Sequence, residues 1–263
     1  MSFPFKKVAV FGATSGIGRA LVERFIEHNI FVVAIGRREE RLAELVHKYG
    51  HDKVQASPFD LTKLESIPNF VINITSTHPD LDLVFLNSGV QYGHDFTKPE
   101  SVSLDKIQEE FNLNYISQVA VTKAFLPFLL SRAKEGHNAG LLYTSSGLAM
   151  VPIPTVPNYC ATKAALHSFI LTLRLQLQDT AVKVIELFPP AVQTELHGEG
   201  GKDVGMPLQD FTNEAWQSLS QGKDQVPVGM AHYAFDAFEM KRQELFKQMA
   251  EKLRQAPSVT KKY

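Results

Sequence analysis

The sequence has little cysteine, since its 263 residues contain only Cys160. One cysteine cannot form an intrachain disulfide, so a disulfide scaffold is excluded and a reduced, cytoplasmic protein is expected. An excess of charge of either sign is also missing, because 27 lysines and arginines balance 28 acidic residues and leave a net charge of −1. This balance gives no reason to expect a nucleic acid or an anionic membrane as a partner.

Long hydrophobic runs and metal-ligand patterns are missing as well. The most apolar later segment, 119–130, is interrupted by a lysine and a proline, and no run reaches the roughly 20 apolar residues of a spanning helix. The N-terminus has no signal-peptide pattern. Among nine histidines, His47 and His51 are four apart, but Gly50 interrupts the helix between them. We therefore predict no membrane partner and no metal.

Short apolar runs alternate along the chain with longer helical patterns. This alternation is typical of a parallel sheet with helices on both faces, so we predict an α/β, Rossmann-type doubly wound fold. We expect a single domain over 1–255 with a helical C-terminal extension, and a flexible tail over 256–263. The predicted strands are 7–11, 31–35, 53–57, 81–86, 141–144 and 182–188, and the predicted helices are 16–28, 39–49, 61–77, 103–134 and 158–179.

The first predicted strand runs directly into a glycine-rich turn. Its glycines permit a tight turn and a close approach of backbone to phosphate, and the following helix supplies free N–H groups and the positive end of its dipole. An ordinary glycine-rich turn is the alternative, which the flanking strand and helix disfavour. We predict a dinucleotide site formed by Gly12, Thr14, Ser15, Gly16, Ile17 and Gly18.

The end of the second predicted strand indicates which dinucleotide binds. NAD sites commonly place an acidic residue there for the ribose 2′-hydroxyl, whereas this chain has Gly36, Arg37 and Arg38. A guanidinium suits a 2′-phosphate, so NADP(H) is favoured over NAD(H). The alternative is that both arginines, Arg38 above all, are solvated residues at a helix start. After the third strand, Asp60 and Leu61 are candidates for the adenine site, and Asp60 is equally a candidate helix N-cap.

Tyr159 and Lys163 lie four residues apart, on one face of a predicted helix. A free tyrosine has a pKa near 10, and a nearby ammonium lowers it toward the range useful for acid/base work. This pair alone is a weak pattern, since two unrelated surface residues produce it. Ser146 strengthens it, because a hydroxyl just past a buried strand can donate to a substrate carbonyl.

Together these features resemble the classical short-chain dehydrogenase/reductase family over roughly the first 200 residues. Two further stretches, 158–168 and 188–190, resemble a narrower branch, the DltE-like oxidoreductases of bacterial D-alanyl–teichoic-acid operons. The positions that carry the family resemblance are Gly12, Gly16, Gly18, Asn87, Ser88, Gly89, Asn114, Ser146, Tyr159, Lys163 and the stretch 189–194.

The resemblance implies a role for each matching residue. Tyr159 would be the acid/base, and Ser146 would polarise the carbonyl. Lys163 would hold the ribose hydroxyls and tune Tyr159, while Asn114 would hold a water that links Lys163 to solvent. Asn114 is preferred to Asn112 because a small residue follows the family asparagine three positions on. Further cofactor contacts would come from Asn87, Ser88, Gly89, Pro189, Val192 and Thr194.

The chain departs from the family pattern at several positions. Phe11 and Leu86 replace polar residues, and we predict that they make an apolar contact instead. Pro190 replaces a glycine after Pro189, which should stiffen the approach to the nicotinamide. The family's last strand is not evident, although 226–230 is a candidate remnant. We therefore favour a homodimer through the helices at 103–134 and 158–179 over a tetramer.

The residues expected near the substrate are mostly apolar. We therefore predict a hydrophobic ketone, aldehyde or secondary alcohol as substrate, covered by a closing loop over 191–212 with a mobile glycine-rich part at 198–205. Two alternatives stay open, a cofactor-retaining isomerase or cyclase and a non-catalytic NADP(H)-binding protein. The predicted substrate residues are Leu148, Met150, Val156, Pro190 and Leu196.

Overall fold

A computed structural model describes residues 3–198 and 202–255 of the chain. Seven strands form one parallel sheet: β1 Lys7–Phe11, β2 Phe31–Gly36, β3 Val54–Pro58, β4 Leu83–Leu86, β5 Ala139–Thr144, β6 Val182–Phe188 and β7 Gln225–Pro227. Their order is β3-β2-β1-β4-β5-β6-β7. The chain reverses its direction of winding between β1 and β4, and this switch point opens a crevice at the carboxyl ends of the strands.

Helices cover both faces of the sheet. The helices are α1 Gly16–Glu27, α2 Glu39–Tyr49, α3 Ile67–Thr77, α4 Leu104–Phe111, α5 Ser117–Lys134, α6 Pro157–Gln176, α7 Leu208–Ser220, α8 Ala231–Ala234 and α9 Met240–Gln255. Helices α1, α2 and α7 pack in one apolar layer, and α3, α5 and α6 pack in the other. The predicted doubly wound, single-domain fold is therefore confirmed.

Strand β1 illustrates why the sheet is buried on both faces. Val8 and Val10 join the layer of α1, whereas Ala9 and Phe11 join the layer of α5. Successive side chains of a strand point to opposite faces, so a strand covered on both sides is apolar without interruption. This is why short apolar runs located the strands, with β1 and β6 at their predicted limits.

Several elements differ from their predicted limits in the structure. The helix predicted over 61–77 begins only at Ile67, because Leu64–Ser66 forms a separate turn. The helix predicted over 103–134 contains a wide π turn at Asn112–Ile116 between α4 and α5. The last strand, which was not evident in sequence, exists as β7 and pairs in parallel with β6. It has only three residues, too few for a clear sequence pattern.

The helical segment Leu104–Lys134 also corrects the expectation that no segment is long and apolar enough to span a membrane. By length and composition it is, with a mean hydropathy of 1.2 over its best 18-residue window. Val121, Phe125 and Leu129 on this segment are buried in the layer that covers the sheet. Core packing accounts for these apolar residues, and a core helix passes the same composition test.

Phe11 and Leu86 lie side by side on neighbouring strands, in direct register between β1 and β4. Both are buried in the same apolar layer. The ring of Phe11 also packs edge-on against Phe70 and Phe125. The predicted replacement of a polar contact by an apolar one therefore has the required geometry.

The C-terminal extension, residues 231–255, is attached to the sheet through a buried ionic cluster. His167 on α6 contacts Glu186 on β6 through Nδ1 and Glu239 of the extension through Nε2, both at 2.8 Å. Phe235 is buried, whereas other apolar residues of the extension, Phe238, Leu245, Met249 and Leu253, are largely exposed. The predicted tail, 256–263, lies outside the described residues.

Candidate functional site

A cleft of about 1010 Å³ opens at the carboxyl ends of β1, β4 and β5. It is large enough for a dinucleotide together with a small substrate. The predicted residues that line it are Thr14, Ser15, Gly16, Ile17, Gly12, Arg37, Arg38, Asp60, Leu61, Asn87, Ser88, Gly89, Ser146, Val156, Tyr159, Lys163, Pro189, Pro190, Val192, Thr194 and Leu196.

The N-terminus of α1 fits a phosphate. Ser15 precedes the helix and makes no side-chain cap, and the first turn contains no acidic residue. Its N–H groups are therefore not capped by a side chain, which suits a pyrophosphate. Gly18 does not line the cleft, because it packs inward, where a Cβ would lie 2.0 Å from the carbonyl oxygen of Gly12. It permits the close approach of helix and strand.

Arg38 is the arginine that contacts the glycine-rich turn. Its Nε and Nη2 donate to Thr14 Oγ1 at 3.0 and 2.9 Å, and Nη2 also donates to the Ser15 hydroxyl. The alternative of a merely solvated helix-start residue is therefore wrong for Arg38. Arg37 lines the cleft but is exposed.

The carboxyl ends of three adjacent strands are tied together by Asn87. Its Nδ2 donates to the carbonyl of Gly12 at 3.4 Å, and its Oδ1 accepts from Thr144 at 2.9 Å. Asp60 accepts from the backbone and hydroxyl of Thr62, so it closes a turn. It does not cap α3, whose N-cap is Ser66.

Ser146, Tyr159 and Lys163 meet at the inner end of the cleft, and all three are buried. The side chain of Ser146 lies close enough to the Tyr159 hydroxyl to lower its pKa. Lys163 donates from Nζ to the carbonyl of Thr144 at 2.9 Å and lies 5.6 Å from the centre of the Tyr159 ring. The structure therefore brings together the predicted hydroxyl donor, acid/base and cation.

Burial dominates the acid/base properties of this group. It raises the pKa of the Tyr159 hydroxyl, which the hydrogen bond to Ser146 partly offsets. It lowers the pKa of the Lys163 ammonium to about 8. The predicted lowering of the Tyr159 pKa by Lys163 is therefore not produced by the protein groups alone, because desolvation opposes it.

Asn114 is fully buried in the π turn and does not line the cleft. Its Oδ1 accepts from the N–H of Val90 and its Nδ2 donates to the carbonyl of Val90, both at 2.9 Å. Gly89 lies between this amide and Lys163, since a Cβ there would be 3.1 Å from Asn114 Oδ1 and 3.7 Å from Lys163 Nζ. Asn114 thus positions the cleft wall beside Lys163.

Glu110 is a buried carboxylate that sequence reasoning missed. It accepts from the backbone N–H of Tyr92 at 2.7 Å and from Asn158 Nδ2 at 2.5 Å. It thereby joins the loop after β4 to the first turn of α6, which carries Tyr159. A glutamate in an amphipathic helix is expected to be solvated from sequence, so only packing reveals its burial.

The predicted substrate residues divide into two groups. Val156, Pro190 and Leu196 line the cleft. Leu148 and Met150 are not among its lining residues, and Met150 packs against the C-terminal extension instead. Gln91 and His197, which are joined by a 2.9 Å hydrogen bond, also line the cleft.

The predicted 191–212 loop is shorter and more structured than expected. Val192 is buried and pairs with Met206, while α7 begins at Leu208. Thr194 caps a short helical turn and approaches the glycine-rich turn, because a Cβ added to Gly16 would lie 3.3 Å from its side chain. Residues 199–201, within the predicted mobile part, lie outside the described residues.

Two charged residues at the rim of the cleft were also missed. Glu195 forms ion pairs at 2.9 Å with Arg38 and with Arg41 on α2. Arg41 follows Arg38 by three residues, so it lies on the same side of the helix start. That spacing is the sequence signal that marks it, whereas the contact with Glu195 is decided by the fold.

Comparisons with known proteins find related sequences over most of the chain. The family model for short chain dehydrogenases matches residues 6–205. The chain is 34% identical over 250 residues to the uncharacterized oxidoreductase DltE of Bacillus subtilis, with 92% of this chain and 95% of that protein covered. It is 28% identical to the NADP-dependent 3-hydroxy acid dehydrogenase YdfG of Escherichia coli, with 80% and 87% covered.

The fold agrees as well. A short-chain dehydrogenase/reductase from Burkholderia phymatum, solved in complex with NAD, matches with a TM-score of 0.78 at 19% identity, and 95% of this chain and 96% of that chain are covered. The family model covers more than half of this chain, and the fold and the site geometry are consistent with it. The chain therefore belongs to the short-chain dehydrogenase family.

Proposed function

We propose that this protein transfers a hydride between NADP(H) and a hydrophobic ketone, aldehyde or secondary alcohol. The convergence of Ser146, Tyr159 and Lys163 in one cleft with the glycine-rich turn carries this proposal. Buried hydroxyl, phenol and ammonium groups at the end of a dinucleotide cleft match the needs of carbonyl reduction, which are an oxygen-binding donor and a proton source.

In the direction of reduction, a hydride adds to the carbonyl carbon and a proton adds to its oxygen. Ser146 donates a hydrogen bond to that oxygen, and Tyr159 supplies the proton from its hydroxyl. Lys163 holds the ribose and favours the resulting phenolate when it carries its proton. The bound nicotinamide supplies the hydride chemistry and, when oxidised, a positive charge that also favours the phenolate.

The preference for NADP(H) rests on the end of β2. Arg38 is held at the glycine-rich turn by Thr14 and Ser15, where its guanidinium suits a 2′-phosphate. A Cβ at Gly36 would lie 2.7 Å from Thr14 Cγ2, so an acidic side chain there would displace Thr14. A relative at 28% identity is NADP-dependent, which also supports this choice.

The substrate side of the cleft favours a neutral molecule with an apolar part. Val156, Pro190 and Leu196 supply apolar surface, and the paired side chains of Gln91 and His197 supply a polar contact. We further propose that the protein works in the cytoplasm as a homodimer. The single buried cysteine is consistent with a reducing location.

The test is a carbonyl panel assayed for NADPH and NADH consumption with the wild type and Tyr159→Phe. Removing the acid/base hydroxyl should lower kcat by about 10²- to 10⁴-fold, with NADPH binding retained because the ring remains. Tyr233→Phe, a change at an exposed and remote tyrosine, is the matched control and should leave kcat unchanged. The value of kcat/KM should be higher with NADPH than with NADH.

Each part of the proposal has its own contrary outcome. Turnover by Tyr159→Phe at the wild-type rate would exclude the acid/base role, and a higher kcat/KM with NADH would exclude the cofactor preference. Product formation without cofactor consumption would identify an isomerase or cyclase. Cofactor binding without any product would identify a non-catalytic binding protein.

A further inference from the structure

A carboxylate of the substrate loop contacts the arginines at the ribose end of the cleft. Glu195 Oε2 accepts from Arg38 Nη1 at 2.9 Å. Arg41 Nη1 lies 2.9 Å from both carboxylate oxygens of Glu195. Two guanidinium groups thus converge on one anion, an arrangement that also suits a phosphate.

The strap, defined here as residues 192–197, lies across the glycine-rich turn. Its Thr194 approaches Gly16 so closely that a Cβ added to that glycine would lie 3.3 Å from the threonine side chain. The pairing of Val192 with Met206 fixes the start of the strap, and three residues later Glu195 binds the arginines. The contact of Glu195 therefore closes the strap over the phosphate-binding end of the cleft.

Arg38 links this contact to the cofactor site. Its Nε and Nη2 bind Thr14 on the glycine-rich turn, while its Nη1 binds Glu195. The same guanidinium is therefore fixed at the turn and neutralised by the strap. An incoming phosphate and the Glu195 carboxylate must share or exchange the Nη1 donor.

Glu195 remains charged over the working pH range. Hydrogen bonds from Arg41 and Arg38 lower the pKa of its carboxyl to about 2. Protonation at ordinary pH therefore cannot release the arginines, and only a competing anion or an opening of the strap can do so.

We propose that Arg38 and Arg41 form the 2′-phosphate site and that Glu195 is an internal anion which the phosphate displaces. Glu195 is then a specificity-determining residue, because its release is required only for a cofactor that carries the 2′-phosphate. This inference rests on the proposed use of NADP(H), and it adds Arg41 to the cofactor site and couples cofactor entry to the strap.

The binding of adenosine 2′,5′-bisphosphate and of 5′-AMP, measured by calorimetry on the full-length protein, tests this inference. Glu195→Gln removes both the competition for the arginines and the repulsion of the phosphate. Its affinity for the bisphosphate should rise about two- to fivefold, the range that exposed ion pairs support, with the affinity for 5′-AMP unchanged. Arg41→Gln should lower the affinity for the bisphosphate by a similar factor and leave the affinity for 5′-AMP unchanged.

Glu27→Gln is the matched control, since Glu27 forms a 3.0 Å ion pair with Arg24 on the same kind of exposed helix surface. It should change neither affinity. An unchanged or weaker bisphosphate affinity in Glu195→Gln overturns the inference, whereas a wild-type preference for the bisphosphate over 5′-AMP would still support NADP(H). If Glu195→Gln raises the affinity for the bisphosphate but the protein reduces no carbonyl, the inference stands and the redox proposal fails.

Discussion

At the residue scale, Gly18 serves packing more than ligand contact. A Cβ there would lie 2.0 Å from the carbonyl oxygen of Gly12 and 2.5 Å from Asn87 Nδ2. Both neighbours hold the ends of strands β1 and β4 in place. The cofactor turn and the strand ends are therefore one packed unit, and a change at either affects the other.

We predict that Gly18→Ala destabilises the fold and abolishes dinucleotide binding. An alanine inside a helix ordinarily stabilises by about 1 kcal/mol relative to glycine. Here the overlap with backbone should reverse the sign and cost ~1–3 kcal/mol or more. Urea unfolding and calorimetric titration with NADPH check both effects.

Gly93→Ala is the control for this prediction. A Cβ at Gly93 would meet only the carbonyl oxygen of Thr155 at 3.6 Å, which is ordinary contact. Its free energy of unfolding should stay within about 0.5 kcal/mol of the wild type. A Gly18→Ala protein as stable as this control would contradict the packing role of Gly18.

At the element scale, the π turn Asn112–Ile116 was not predictable from sequence. Its residues continue the helical pattern of the flanking helices, and a π turn differs from an α-helix only by a local widening. The widening accompanies the fit of Asn114 against the backbone of Val90. Asn114 could therefore be predicted as a site residue, but the π turn that orients its side chain depends on the loop after β4, which the sequence does not reveal.

The cluster around His167 holds three elements together, since α6, β6 and the C-terminal extension each contribute one member. Burial lowers the pKa of His167, but the hydrogen bonds to Glu186 and Glu239 outweigh it and raise that pKa from 6.5 to about 9. Burial raises the pKa of Glu239, but His167 lowers it on balance. Arg174 and Arg242 lie 3.8 Å from Glu186 and Glu239.

We predict that this cluster makes stability depend on pH. The contribution of His167 is complete below pH 6.5 and is lost as pH rises through about 9. The contribution of Glu239 to stability is present above the usual pKa of 4.5 and is lost as the pH falls through the lowered pKa of the folded state. The free energy that the cluster contributes should therefore be largest between these limits.

His167→Gln should lower the free energy of unfolding by about 3–5 kcal/mol at pH 6, because it removes the cation that both buried carboxylates contact at 2.8 Å. The difference from the wild type should shrink between pH 6.5 and 9. His47→Gln, at an exposed histidine, is the control and should have no such effect. Urea unfolding of both proteins at several pH values measures this difference. A difference that does not change with pH would show that His167 is not charged in the native state.

At the scale of the whole molecule, we predict a homodimer that forms through the helical segments 103–134 and 158–179. Ile116 and Leu130, 14 residues apart and therefore on one side of the helical segment, are 42% and 37% exposed. Sedimentation equilibrium should give about twice the 29.4 kDa of one chain. Leu130→Lys should shift the mass toward the monomer, because a buried charge in an interface is costly.

Leu245→Lys is the comparison for the dimer prediction, since Leu245 lies on the exposed face of the C-terminal extension. It should leave the mass unchanged. If Leu245→Lys is monomeric while Leu130→Lys remains a dimer, the interface lies on the C-terminal extension instead. A monomeric wild type would contradict the dimer altogether.

The sequence by itself determined the layered α/β fold, the glycine-rich turn, and the identities of Ser146, Tyr159 and Lys163. These follow from local patterns, because hydrophobic period and turn chemistry are properties of neighbouring residues. Tertiary structure alone decided the burial of Glu110, the pairing of Glu195 with Arg38 and Arg41, and the exclusion of Leu148 and Met150 from the cleft. Those outcomes join residues far apart in the chain, so they depend on how strands and helices pack and not on any local pattern.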